Sequence, residues 1–144
     1  MKIITLIFLT LFLGKSCDNE QKIDIQSAVV EYTANTRGFY QKIVVQNQTI
    51  SVYRDRKETA LPVTEKISEA DWKELISMFQ EIDLEGLQSL KAPSEKRYYD
   101  GAAIGNLKVD YKEKTYQTDG FDHGTPPLEI ARFVTKITSL AKDE

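Results

Sequence analysis

SEADWKELISMFQEI, residues 68–82, is the stretch on which the architecture turns. Trp72, Leu75, Ile76, Phe79 and Ile82 recur at the spacing of a single helical stripe, while Lys73, Glu74 and Glu81 fall off it. Ser68 suits the N-cap, and Glu69 with Asp71 puts negative charge where the helix dipole favours it. A helix apolar along one stripe has to lay that stripe on another element, and the chain before it reads as strands.

Working upstream, residues 27–34 are rich in β-formers (Val29, Val30, Tyr32, Thr33), and Asn35-Thr36-Arg37-Gly38 punctuates them as a turn. Residues 39–46 alternate, Asn47-Gln48 offers a tight reversal, and residues 49–54 put Ile50 and Val52 on one face. After a charged loop over 55–59, Leu61, Val63 and Ile67 alternate as a fourth strand. Downstream, the helix is expected to end near Asp83, with Gly86 in the turn after it, and residues 87–102 show no period. Ile104, Leu107, Val109 and Tyr111 make the next strand, and the phase slip between Ile104 and Leu107 predicts a bulge near Gly105. Lys112-Glu113-Lys114 turns the chain and residues 115–121 return. A final helix is expected with Thr125 as cap, Pro126 and Pro127 in its first turn, and Ile130, Phe133, Val134, Ile137 and Leu140 as its buried stripe. The order is ββββα-ββα with hairpin-length links. It predicts an α+β domain, a single antiparallel sheet of about 5–6 strands with both helices packed on one face.

The N-terminus reads differently. Lys2 precedes an almost unbroken apolar run over residues 3–13, and Gly14-Lys15-Ser16 leads to Cys17, the chain's only cysteine. As a helix the run spans about 17 Å at roughly 1.5 Å per residue, too short for a hydrocarbon core of about 30 Å. Residues 1–16 therefore read as a cleavable signal peptide rather than a membrane span. A lone cysteine directly after such a segment resembles the lipobox of bacterial lipoproteins. The resemblance implies that the thiol of Cys17 carries diacylglycerol and fatty acyl chains such as palmitate. Gly14 stands where that motif usually has leucine, and Gly14 with Ser16 also suits an ordinary signal peptidase cutting at the same bond. Residues 17–26 then read as a lipidated tether and 27–144 as one domain. The expected address is the cell envelope, on the outer membrane at its periplasmic or surface face rather than the inner membrane.

Composition narrows the function. The 144 residues are 41% hydrophobic and 28% charged, the balance of an ordinary globular domain. Removing Lys2 and Lys15 leaves 17 basic against 22 acidic residues, taking the formal charge from −3 to −5. An acidic surface without a basic run excludes nucleic acid as a partner, because phosphate neutralisation supplies most of that affinity. The layout also resembles small uncharacterised lipoproteins of flavobacteria and related Bacteroidetes, through stretches such as Thr36-Arg37-Gly38-Phe39-Tyr40 and Phe121-Asp122-His123-Gly124. That resemblance covers most of the mature chain and implies no known activity, so no catalytic residue is carried over.

Three groups of residues invite a site. Asp119, Asp122 and His123 place two carboxylates beside the only histidine, a set able to ligate a divalent metal or act as acid and base; the competing reading is a strand end entering a capping loop. Arg97, Tyr98, Tyr99 and Asp100 lie on the long aperiodic segment, either as a recognition surface or with the tyrosines buried to hold the segment down. Arg37 with Tyr40 suits carboxylate binding or a local salt bridge. There is no phosphate-binding glycine loop, nucleophile elbow, paired histidines at zinc spacing or Cys-x-x-Cys. The reading that follows is a non-enzymatic binding or interaction module without a cofactor, with an envelope protein as its partner. The alternatives are a small metal-dependent or carboxylate-based hydrolase on Asp119, Asp122 and His123, and an inhibitor of an envelope enzyme.

Overall fold

The computed structural model describes residues 22–141. The expected signal peptide and Cys17 lie outside the described residues. Nine-residue β1 (Ala28–Thr36) pairs antiparallel with β2 (Phe39–Gln46), which pairs with β3 (Thr49–Tyr53), and β3 pairs with the edge strand β4 (Val63–Lys66). On its other side β1 pairs with β5 (Ile104–Tyr111), and β5 takes both β6 (Lys114–Gln117) and the short β7 (Phe121–Asp122). Among the described residues the result is one antiparallel sheet of seven strands in the order β4-β3-β2-β1-β5-β6, with β7 also on β5. The α+β architecture is as expected from the chain, with slightly more strands because the returning segment is split in two.

Period-2 burial follows the alternation. Val30, Tyr32 and Ala34 of β1, Ile43 and Val45 of β2, and Leu107 and Val109 of β5 all point into the core. Helix α1 (Glu69–Gln80) lays Trp72, Leu75 and Phe79 on them, with the Ser68 hydroxyl accepting from the Asp71 amide as its cap. It ends slightly earlier than the periodicity suggests, and Ile82 and Leu84 stay buried in the turn beyond it. Helix α2 (Ala131–Leu140) buries Phe133, Val134 and Ile137. The two helices meet at the Phe79 and Phe133 rings, 5.7 Å between centroids, and Lys136 of α2 reaches Asp71 and Glu74 of α1 at 2.7 and 2.8 Å. The opposite face of the sheet carries half-exposed polar side chains, including the cross-strand pair Glu31 and Lys108.

Three local expectations are corrected. First, Ile25 is fully buried in a 3-10 turn (Ile25–Ser27) against α1, and Ile23 packs beside it, so the stretch read as a tether to residue 26 already belongs to the domain. Second, Thr125 does not cap α2. Its amide bonds back to the Asp122 carbonyl at 2.9 Å, and the helical path begins with a 3-10 turn (Leu128–Ile130) after an extended Pro127. Pro126 precedes Pro127 and is driven out of the α region, so it cannot be the first helical residue after a Thr125 cap, and the helical path starts beyond Pro127. Third, β5 pairs with β1 in unbroken register through Gly105, and the bulge lies in its other partner. Gly105 faces Phe121 while Lys108 faces Gln117, so Asn106 and Leu107 oppose three residues, Thr118, Asp119 and Gly120.

Candidate functional site

The bulge organises the site. The Thr118 amide bonds to the Leu107 carbonyl at 2.9 Å, and the Thr118 hydroxyl accepts the Leu107 amide at 3.0 Å, standing in for a ladder carbonyl. Asn106 Nδ2 donates to the Thr118 carbonyl at 2.7 Å, and Gln117 Nε2 donates to Asn106 Oδ1 at 2.8 Å. The extra residue turns Asp119 outward into solvent and returns Phe121 and Asp122 to the interior.

Asp122 is buried, and both of its oxygens are occupied. Oδ2 accepts the Ser94 hydroxyl at 2.6 Å and the Lys96 amide at 2.8 Å; Oδ1 accepts the Arg97 amide at 2.9 Å and Arg97 Nη1 at 3.2 Å. Burial by itself would push this carboxyl up. The bonds from Ser94, the two backbone amides and the guanidinium outweigh it and hold the group well below the usual carboxylate range. The same guanidinium donates to the Ser94 carbonyl at 2.7 Å and to the Tyr98 hydroxyl at 3.1 Å, and lies 4.4 Å from the Tyr98 ring centroid. One carboxylate thereby clamps the segment through residues 94–97 to the end of the sheet. The segment continues as a 3-10 turn (Lys96–Tyr99) that closes on Asp100 in the left-handed region at φ 60°.

With the clamp supplied by Asp122, the tyrosines are not needed as anchors: Tyr98 and Tyr99 are 74% and 72% exposed. That decides between the two sequence readings in favour of an outward aromatic pair. His123 goes elsewhere. Its Nδ1 and the Tyr32 hydroxyl share a hydrogen bond at 2.7 Å, and its ring lies 5.8 Å from both the Tyr32 and Phe39 rings. Burial lowers the pKa of the imidazole and raises that of the Tyr32 phenol, so the pair is neutral. Asp119, Asp122 and His123 therefore do not converge: one is in solvent, one is saturated by four donors and one is held by a tyrosine. Among the described residues no cluster of three metal-ligating side chains forms. Arg37 stands exposed at the β1–β2 turn without an ion pair to a described residue, and Tyr40 packs under the Arg56 guanidinium at 5.7 Å. Neither joins the Tyr98 surface.

Two adjoining depressions flank Asp119 and Gly120. One, of ≈ 520 Å³, runs between β6 and the 3-10 turn Leu87–Ser89, with Gln88, Asn106 and Gln117 on its walls. The other, of ≈ 600 Å³, lies against the clamped segment and is walled by Tyr98, Ile104 and Ala92. Gln88, Ser94, Asn106, Gln117 and Thr118 carried no pattern visible along the chain; only the Asp119-Gly120 pair hinted at irregular backbone there. No family model, curated protein or solved structure matches the chain.

Proposed function

We propose that the chain is a non-enzymatic binding module, held at the cell envelope through lipid on Cys17, whose recognition surface is the Tyr98–Tyr99 turn and the groove beside it. The observation that carries this reading is the Asp122 clamp. A buried carboxylate spends all its hydrogen-bonding capacity on one surface segment, and that segment holds two large aromatic side chains in water. Exposed aromatics on a pre-ordered loop suit binding, because little conformational entropy remains to be lost when a ligand docks. Nothing in the arrangement around Asp122 or His123 offers a nucleophile or a free general base, which favours binding over hydrolysis.

The test is site-specific photo-crosslinking in the full chain, in cells, with a benzophenone amino acid at position 99 and, as control, at the exposed position 73 of α1. Discrete adducts from position 99 and none from position 73 are expected. Equal labelling from the two positions, or none from either, rejects the surface.

A further inference from the structure

We propose that the groove around Asp119 and Gly120 binds a neutral oligosaccharide, an assignment that rests on reading the chain as a binding module and names its ligand class. The two depressions meet at the bulge, and each falls within the range of roughly 300–1,000 Å³ usual for small-ligand sites. Their walls divide by chemistry. On one side stand amides: the Gln88 side chain has no hydrogen bond to a described residue, and Gln117 uses one N–H on Asn106, leaving its Oε1 and second N–H without a partner among the described residues. Asp119, at the junction, is a carboxylate without a hydrogen-bonding partner among the described residues, with two oxygens able to accept from two donors at once. Alternating planar donors and acceptors of this kind match the vicinal hydroxyls of a sugar, each of which both donates and accepts. On the other side Tyr98 and Ile104 make an apolar wall. Arg97 covers one face of the Tyr98 ring, and the ring's high exposure leaves the other face open to the C–H face of a pyranose.

Charge separates a sugar from other ligands. Arg97 is committed to Asp122, the Ser94 carbonyl and the Tyr98 hydroxyl, so Lys91 is the basic residue left against Glu95 and Asp119. A polyanion would meet net negative charge. An extended peptide adding to the sheet edge would meet the bulge, where the ladder pattern is broken.

The experiment titrates the purified full chain in detergent with chitotetraose, cellotetraose and maltotetraose, with a heparin tetrasaccharide as the acidic control, followed by calorimetry and by ligand-observed NMR. Binding of at least one neutral tetrasaccharide is expected, weakened about tenfold by Tyr98→Ala and by Gln117→Ala, with a cooperative thermal transition retained in both variants. Three results overturn the proposal: no neutral tetrasaccharide binds, binding survives both substitutions, or the acidic control binds more tightly. The crosslinking at position 99 stands apart from this outcome. Discrete adducts to a protein, without saccharide binding, retain the binding module and remove the sugar, whereas failure of both removes the module.

Discussion

At the scale of single residues, Asp122 and Gly105 hold the end of the sheet together, and each yields a prediction. Asp122→Asn keeps the size of the side chain but removes the charge that faces Arg97 and turns one acceptor into a donor opposite the Ser94, Lys96 and Arg97 groups. It is expected to lower the thermal midpoint at neutral pH and to speed amide exchange at Lys96 and Arg97, read by hydrogen-exchange mass spectrometry. The pH dependence has a definite sign. Asp122 is depressed in the folded chain, so its contribution is present above the unfolded carboxylate pKa near 3.9 and is lost as pH falls below it. His123 adds an earlier decline, because its folded pKa is lowered and the unfolded chain takes up a proton first below about pH 6.5. Melting curves from pH 7 to 3 should show both, and Asp122→Asn should flatten only the acidic limb. Gly105 is required for a steric reason. A Cβ there would stand 2.8 Å from the Phe121 ring and 2.9 Å from the Tyr32 hydroxyl. Gly105→Ala is expected to cost about 1–3 kcal/mol in chemical denaturation by overpacking.

At the scale of elements, the β5–β6 hairpin is closed by Lys112 and Glu113 alone, with φ of 47° and 63°, since Lys114 already pairs with Tyr111. Two-residue hairpin turns of this hand favour asparagine and glycine, because other side chains crowd the following carbonyl. Glu113→Gly is therefore expected to stabilise the domain by about 1 kcal/mol, measured by urea denaturation, with no change at the groove. A loss of stability would place the strain elsewhere. The Asn47-Gln48 turn has the same backbone, with φ of 50° and 59°, yet Gln48 should not be replaced in this way. Its Nε2 donates to the Ile67 carbonyl and to Glu69, tying the β2–β3 hairpin to the start of α1.

For the whole molecule, one core closes every element, including the segment before β1. Ile25 is 1% exposed beneath α1, and the Asp24 amide reaches the Tyr111 hydroxyl at 3.3 Å. Ile25→Ala in the full chain is expected to cost about 2–5 kcal/mol, as for any fully buried aliphatic; a cost near zero would return residues 22–26 to the role of a tether. Against this whole, the strands, both helices and the single-sheet α+β layout were legible along the chain, because period 2 and period 3.6 are local properties of apolar spacing and survive without knowledge of neighbours. Ser68 was legible as a cap for the same reason. The position of the bulge was not. The phase slip at Ile104 looked like an extra residue in β5, but Gly105 simply occupies a core position already filled by the Tyr32 and Phe121 side chains, and the extra residue sits across the ladder at Asp119-Gly120. Nor was the fate of Asp122 and His123 readable. Adjacent residues on a strand point to opposite sides, and only the fold decides that one carboxylate meets a segment 25–28 residues earlier while the imidazole meets Tyr32, 91 residues away. Sequence determines which residues are apolar in phase; long-range contact decides which polar groups have a partner, and on that difference the groove and its clamped tyrosines depend.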